Sequence, residues 1–344
     1  MCQFQHTSAY VSKKVVIRED SMVTRRNIMA WGAGTAGTLA LGSHMAMAKA
    51  SQPKTAVNFA VPPNACDCHT HIHGDPAKYP YFEGRVYTPE AALPDEMAEL
   101  HAALKIKRVV IVTPSVYGAD NAATLYGMAA RGADARGVAV INAKTTETEL
   151  DAMGSAGVVG IRLNLATGGV NDPVVGAQRL DEGLGRVKGR GMHVQIYTNL
   201  AMISALKDKV AEAPVPVVFD HFGGAKAALG IDQPGFADLL ALVRSGKAYV
   251  KISGAYRASN KGPDFADAAP LARALISANP ERIIWGTDWP HPDSAAHPGR
   301  TRFDIAPFYD IDDGLVMNQL ALWAPDADQR SRILVDNPAR LYKF

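Results

Sequence analysis

The chain has 344 residues but only three cysteines, which is too few for a disulfide framework. Cys2 lies in an N-terminal leader, whereas Cys66 and Cys68 are two positions apart on a predicted strand. Neighbouring residues on one face of a single strand are poorly placed for a disulfide. The sequence therefore predicts a fold without disulfide bonds.

An excess of charge of one sign and nucleotide-binding glycine motifs are also lacking. The formal net charge is +2, so no extensive nucleic-acid-binding surface is expected. No Gly-x-Gly-x-x-Gly pattern follows a predicted strand, which disfavours a dinucleotide-binding fold. With 47% hydrophobic and 20% charged residues, the composition is typical of a soluble globular protein with a full core.

Residues 1–50 are predicted to form a leader. In the stretch TRRNIMAWGAGTAGTLALGSHMAMAKA, Arg25 and Arg26 precede an apolar run rich in Ala and Gly and then a small-residue cleavage pattern. The arginine pair resembles a twin-arginine signal, which implies recognition by the twin-arginine export machinery and a periplasmic or exported protein. We expect cleavage after Ala48 or Ala50 and no stable membrane span afterwards, because the run is short and rich in glycine. The alternative is a disordered tail with a chance arginine pair.

Eight short apolar runs alternate with longer amphipathic segments in the rest of the chain. The runs lie at 64–71, 108–115, 136–143, 158–165, 192–199, 215–222, 248–255 and 282–289. Apolar strands separated by helices are typical of a parallel sheet, and eight of them within roughly 230 residues indicate a barrel. We therefore predict an α/β protein with one (β/α)8 TIM barrel at 62–344, after a linker at 51–61. An open doubly wound sheet is the alternative.

Four polar side chains stand at the predicted carboxyl ends of three strands. They are His69 and His71 on the first strand, His221 on the sixth and Asp288 on the eighth. In a TIM barrel these strand ends form the active site. Because alternate residues of a strand share a face, His69 and His71 can both point into the barrel mouth. These four residues are the predicted catalytic constellation.

The same alternation makes predictions for the neighbouring residues. Cys66 and Cys68 are expected to face the helices as small packing residues, and His73 is expected in a loop beyond the strand end. Lys251 lies one pleat deeper on the seventh strand. It is expected either to pair with Asp67 or another buried acid or to touch substrate.

The chain resembles the amidohydrolase superfamily. The resemblance rests on DCHTH at 67–71, VVFDHFGG at 217–224 and WGTDWPHP at 285–292. More narrowly, PYFEGRVYTP, YGADN, GIRLNL, VKISGAYR and VDNPARLY resemble the branch that contains 2-pyrone-4,6-dicarboxylate lactonase and enzymes acting on sugar-acid lactones. The resemblance covers essentially all of 62–344 and implies a lactone-opening hydrolase.

The resemblance also bears on metal binding. Superfamily members with two metal ions use a carboxylated Lys on the fourth strand and a His on the fifth, where this chain has Arg162, Asn164 and Tyr197. Because the lactonase branch works without metal, and Arg162 adds positive charge, no cofactor is favoured. One Zn²⁺ or other divalent ion remains the alternative, held by His69, His71, His221 and Asp288.

Lactone hydrolysis needs groups that polarise the carbonyl and a base that activates water. We predict that His69, His71 and His221 donate hydrogen bonds to the carbonyl oxygen and the developing oxyanion. Asp288 is predicted to take a proton from the attacking water and to return it to the leaving oxygen.

Seven further side chains are predicted to bind the acid or hydroxyl groups of a small anionic lactone or sugar-acid substrate. They are Ser115, Tyr117, Arg162, Asn164, Tyr197, Arg257 and His291. Arg162 could instead form a structural ion pair, Arg257 could lie in an exposed loop, and His291 could orient Asp288 or belong to a loop. Residues 166–172 lack the second arginine expected for a dicarboxylate, which favours a substrate with fewer carboxylates or more hydroxyls.

Three other functions remain open at this point. One is a metal-dependent hydrolase or decarboxylase of the same superfamily, with one zinc ion. Another is an isomerase of sugar-acid lactones, which would use the same carbonyl-activating groups. The third is an exported binding protein with a retired active site, which the complete set of three histidines and Asp288 argues against.

Overall fold

The computed structural model describes residues 50–295 and 297–344. The predicted leader, apart from Ala50, lies outside the described residues. Ten strands occur in the described part of the chain. They are β1 Cys66–Thr70, β2 Thr88–Pro89, β3 Arg108–Val112, β4 Ala135–Ala139, β5 Val158–Asn164, β6 His193–Tyr197, β7 Val217–Phe219, β8 Ala248–Ser253, β9 Ile283–Gly286 and β10 Ile305–Ala306.

Eleven α-helices connect or follow these strands within the described residues. They are α1 Pro94–Leu104, α2 Ala122–Arg131, α3 Glu147–Ser155, α4 Pro173–Val187, α5 Leu200–Glu212, α6 Phe236–Arg244, α7 Ala255–Ala258, α8 Ala269–Ala278, α9 Asp313–Trp323, α10 Ala327–Ser331 and α11 Asn337–Tyr342. Among the described helices, none combines the length and the apolar character needed to cross a membrane.

Eight strands form one parallel sheet in the order β1-β3-β4-β5-β6-β7-β8-β9. The sheet closes at its carboxyl edge, where Thr70 forms a parallel bridge with Trp289. The backbone N–H of Asp288 donates to His69 O at 2.8 Å, and that of His71 donates to Trp289 O at 2.9 Å. The predicted (β/α)8 barrel is therefore confirmed. β2 and β10 pair outside the barrel and were not predicted.

Cys66 and Cys68 lie inside the barrel, so the prediction that they face the helices is wrong. Both are free, fully buried thiols. They pack in one cluster with apolar residues of five other barrel strands and of α11, namely Val110, Val112, Val138, Val218, Tyr249, Ile284, Leu341 and Tyr342. The interior of the barrel is thus filled by side chains below the active-site end, as in other barrels of this type.

The reason for the error is an irregularity in β1. The register of β1 against β3 shifts between Asp67 and Thr70, so the alternation of faces is interrupted there. Asp67, which lies between the two cysteines, points outward, with its Oδ2 3.3 Å from His101 Nε2 of α1. His69 nevertheless reaches the barrel mouth, where its Nε2 faces Asp288 Oδ1, because the alternation is interrupted between Asp67 and Thr70.

Ala50 and the first residues of the predicted linker pack against the barrel. Ala50 N donates to Glu96 Oε1 at 3.1 Å, and Thr55 Oγ1 donates to Asp312 Oδ2 at 2.6 Å. Trp289 Nε1 donates to Ser51 O at 3.1 Å, which connects this segment to the loop that follows β9. The segment therefore has fixed contacts beside the loop that carries Asp288.

Asp312 should contribute measurably to stability through this segment. Its carboxylate caps α9 by accepting from Gly314 N and Leu315 N, and it also accepts from Lys54 N and Thr55 N. Asp312→Ala should lower the free energy of unfolding by roughly 1–3 kcal/mol, because a helix cap and the hydrogen bonds to Lys54 and Thr55 are lost together. Asp310→Ala is the matched control. It removes only an exposed ion pair with Lys54 and should change stability by about 0–1 kcal/mol. Equal losses in thermal unfolding would contradict the role given to Asp312.

Candidate active site

The four predicted catalytic side chains meet at the carboxyl end of the barrel. His69 lies on β1, His71 just beyond it, His221 follows β7 and Asp288 follows β9. All four are buried. Asp288 Oδ1 lies 3.6 Å from His69 Nε2, 3.4 Å from His71 Nε2 and 3.7 Å from His221 Nε2. The structure thus brings three imidazoles around one carboxylate oxygen.

Backbone geometry contributes to this convergence. His221 and Asp288 have positive φ values of 46° and 69°, a region that costs residues with a side chain roughly 1–2 kcal/mol. The neighbouring Gly254 allows the close approach, because a Cβ there would lie 3.0 Å from Asp288 Oδ2 and 3.2 Å from His221 Nδ1. Strain of this kind is characteristic of functional sites.

Three atoms of the cluster are buried and have no hydrogen-bond partner among the described residues. They are His69 Nε2, His221 Nε2 and Asp288 Oδ1. All three residues offer ligand atoms that lie within 4.8 Å of one another. Since buried polar atoms in folded proteins are nearly always paired, these atoms indicate a place for a substrate atom, a water molecule or an ion.

The second oxygen of Asp288 is fully engaged. Tyr256 Oη donates to Oδ2 at 2.6 Å, and Arg257 Nε donates to the same oxygen. Burial alone would raise the pKa of Asp288, but Arg257, His221 and the other histidines hold that pKa well below its ordinary value. Asp288 is therefore ionised at neutral pH. Arg257 is only 17% exposed, so the alternative of an exposed loop arginine is wrong.

The imidazoles differ in where their protons lie. His71 Nδ1 is 2.7 Å from Val112 O, and since a carbonyl only accepts, this nitrogen carries a proton. Neutral His71 would then face Asp288 Oδ1 with the lone pair of Nε2, and two lone pairs repel. The contact becomes favourable when a metal ion, or a hydrogen-bond donor such as water, bridges the two atoms.

His69 and His221 are neutral at neutral pH. Burial, followed by the charge of Lys251, lowers the pKa of His69 well below its usual value. Burial likewise lowers the pKa of His221 to about 4, although Asp288 opposes the shift. Lys251 Nζ lies 3.1 Å from His69 Nδ1 and can only donate, whereas Asp220 Oδ1 lies 3.2 Å from the same nitrogen and can only accept, so these two contacts favour opposite tautomers of His69.

Beneath the histidines lies a buried network centred on Asp220. Its Oδ2 accepts from Arg162 Nε at 3.1 Å and from Gln195 Nε2 at 3.0 Å. Its Oδ1 lies 3.2 Å from His69 Nδ1 and 3.4 Å from Lys251 Nζ. Lys251 therefore pairs with a buried acid, which was one of its two expected roles, and this acid is Asp220 instead of Asp67. Arg162 forms the structural ion pair that was the alternative to substrate binding.

Five of the seven predicted substrate-binding residues line one narrow cleft of about 20 Å³ next to His71. They are Ser115, Arg162, Asn164, Tyr197 and Arg257. An outer cavity of about 520 Å³ adjoins the cleft and shares Tyr197 and Arg257 with it. The cleft has room for about one water molecule, whereas the outer cavity is of the size of an ordinary ligand pocket.

The other two predicted residues do not line this cleft. Tyr117 is buried, and its Oη accepts from Gly74 N at 2.9 Å. His291 is also buried, and its Nε2 lies 2.9 Å from Asp313 Oδ2 of α9. His73 follows β1, as expected, but it is buried and pairs with Ala92 through a backbone bridge.

Sequence reasoning missed several residues of the site. Asp220 contacts His69, Tyr256 contacts Asp288 and Gln195 contacts Asp220. Tyr87 and Lys226 line the cavities. Some signals were present, because Asp220 directly precedes His221 and Tyr256 directly precedes Arg257. Which of these neighbours turns inward depends on the backbone beyond each strand end.

Residues 66–344 match the family model described as amidohydrolase. The chain belongs to the amidohydrolase family. It is 35% identical over 295 residues to the 4-sulfomuconolactone hydrolase of Hydrogenophaga intermedia, which covers 83% of this chain and 91% of that protein. It is 33% identical over 293 residues to the 2-pyrone-4,6-dicarboxylate hydrolase of Comamonas testosteroni, a match that covers 83% of this chain and 92% of that protein. It is 32% identical over 295 residues to the D-galactarolactone isomerase of Agrobacterium fabrum, a match that covers 84% of this chain and 94% of that protein. These relatives confirm the resemblance inferred from the motifs.

Amidohydrolases often hold a divalent metal ion, and the residues of this site fit one. His69, His221 and Asp288 offer three buried, unpartnered nitrogen and oxygen atoms, and His71 Nε2 faces the same carboxylate oxygen. Nitrogen and carboxylate ligands of this kind suit zinc. His69 Nδ1 lies beside both the Lys251 ammonium and the Asp220 carboxylate, and the tautomer that donates from Nδ1 to Asp220 leaves Nε2 free to bind the ion.

Proposed function

We propose that this amidohydrolase opens the lactone ring of a small anionic acid by hydrolysis, with Asp288 Oδ1 as the base for water. One observation carries the proposal. Asp288 Oδ1 is ionised, buried and without a hydrogen-bond partner in the described structure, and three imidazole Nε2 atoms lie 3.4–3.7 Å away. A base and a set of carbonyl-polarising groups are thus aimed at the same small volume.

The hydrogen bonds of the cluster support a division of roles. In the tautomer of His69 in which Lys251 donates to Nδ1, the imidazole proton lies on Nε2. That nitrogen can then donate to the lactone carbonyl oxygen and stabilise the oxyanion. Arg257 keeps Asp288 ionised, and together with Arg162 it can hold the acid group of the substrate in the adjoining cleft.

The reaction follows from these positions. Asp288 Oδ1 takes a proton as the water oxygen bonds to the carbonyl carbon. The ring C–O bond then breaks, and Asp288 returns the proton to the leaving oxygen, which gives the open-chain acid. A divalent ion held by His69, His221 and Asp288 would instead polarise the carbonyl and acidify water.

We also propose that the mature protein is exported through the twin-arginine route and acts in the periplasm. Arg25 and Arg26, the short apolar run and the small-residue pattern before Ser51 support this proposal. Cell fractionation of the full chain tests it: mature protein in the periplasmic fraction is expected, and retention in the cytoplasm would contradict it.

A panel of lactones, assayed on protein stripped with a chelator and checked for metal content, tests the catalytic proposal. We expect turnover to persist without stoichiometric metal and NMR to show the open-chain acid as product. Loss of turnover that zinc restores would overturn the metal-free mechanism in favour of a one-metal hydrolase. A rearranged ring in place of the free acid would identify an isomerase, the second candidate because of the galactarolactone relative.

A further inference from the structure

The cleft and the outer cavity together carry positive charge and no acid. Among the described residues that line them there are three cationic side chains, Arg162, Arg257 and Lys226, but no Asp or Glu. A cavity of this size with cations at several points is suited to a ligand that carries more than one negative group.

The three cations are not equivalent. Arg162 is paired with Asp220, and Arg257 is paired with Asp288, so each arginine charge is already offset by a buried carboxylate. Lys226 has no carboxylate contact in the described structure. Its Nζ donates to the backbone carbonyl oxygen of Arg257 at 2.6 Å, which neutralises no charge.

The position of Lys226 is also informative. It lies five residues beyond His221, in the loop after β7, and it lines the outer cavity with Tyr197, Asn260 and Arg257. It does not line the inner cleft beside His71, where the lactone carbonyl would react. Partial burial, followed by the charge of Arg257, lowers the pKa of Lys226, and a bound anion would relieve this penalty.

We propose that Lys226 binds a second acidic group of the substrate, a carboxylate or sulfonate remote from the lactone carbonyl, so that the substrate class is a dianionic lactone. That the ligand is a lactone rests on the proposed function, whereas the binding of a dianion does not depend on it. It reverses the expectation drawn from residues 166–172. The cation missing from the loop after β5 is supplied by the loop after β7.

Binding of simple aromatic acids tests Lys226 without any turnover. Isophthalate, a planar dianion with two carboxylates on alternate ring positions, is titrated calorimetrically against benzoate, its monoanionic counterpart. We expect the wild-type protein to bind isophthalate more tightly than benzoate. Lys226→Met should weaken isophthalate binding about tenfold and leave benzoate nearly unchanged, since one solvent-accessible charge-assisted hydrogen bond is lost. Lys226→Arg should restore most of the affinity.

Lys188→Met is the matched control, because Lys188 is an exposed lysine that does not line the cavity. It should bind both acids as the wild type does. If Lys226→Met weakens the binding of both acids equally, the change acts through Arg257 and the proposal is overturned. It is also overturned if isophthalate binding is not weakened, or if the wild type does not prefer isophthalate to benzoate.

Kinetics then connect the inference to the reaction. With 4-sulfomuconolactone and muconolactone as a pair, Lys226→Met should raise KM about tenfold only for the sulfonated lactone and leave kcat within twofold. If the wild type opens neither lactone, the proposed hydrolysis fails for this substrate pair while the isophthalate result still decides the role of Lys226. If KM rises equally for both lactones, Lys226 is not the contact for the second acid.

Discussion

Asp288→Asn is expected to lower kcat by about 10²–10⁴-fold, the largest effect on activity of any single substitution considered. The amide keeps the shape of the side chain but cannot take a proton from water. It also removes the negative charge that Arg257 and the three imidazoles surround. The measurement is kcat on the best lactone of the panel, with circular dichroism and a thermal unfolding midpoint to show that the fold persists.

Tyr256→Phe provides a graded comparison at the same carboxylate. It deletes the hydrogen bond from Tyr256 Oη to Asp288 Oδ2 but leaves the carboxylate and its contact with Arg257. Because Oδ1 remains free to act as a base, a loss of at most about tenfold is expected. If Asp288→Asn falls within tenfold of the wild type, another group activates water, and the proposed role of Asp288 is wrong.

Asp220→Asn is expected to cause the largest loss of stability, on the order of 3–5 kcal/mol. Burial alone would raise the pKa of Asp220, but His69, Lys251 and Arg162 hold it well below its usual value, so the carboxylate is charged at neutral pH. Removing that charge leaves two cations in the barrel interior with no acid to offset them, which is strongly destabilising. For a chain of this size the thermal midpoint should fall by on the order of 10 °C.

A second substitution separates this charge effect from a loss of packing. In the Asp220→Asn background, Lys251→Met removes one uncompensated cation, so the double variant should be less destabilised than the sum of the two single variants. Asp238→Asn is the surface control. It breaks a partly exposed surface ion pair with Lys207, and it should cost about 0–1 kcal/mol. Strict additivity at Asp220 and Lys251 would show that charge compensation is not the cause.

Much of the barrel is predicted by residue patterns, because apolar runs and amphipathic segments indicate which side chains are buried. Helices α1, α2 and α6 lie between the apolar runs, where the amphipathic segments predict helices. The pair β2 and β10 was not predicted, since strands of two residues leave no periodic pattern. The side chosen for Cys66 and Cys68 was wrong, since alternation assumes a regular strand and β1 has a register shift.

The residue types and spacing were enough to name His69, His71, His221 and Asp288 as one group, because the carboxyl ends of parallel strands must meet at one edge of a barrel. The partners of each group were decided only by the tertiary structure. Asp220 offsets Arg162 and Lys251, Arg257 holds Asp288, and Lys226 lines the cavity without an acid. These pairings depend on short distances between residues far apart in the chain. A sequence specifies such distances only through the complete packing of the fold.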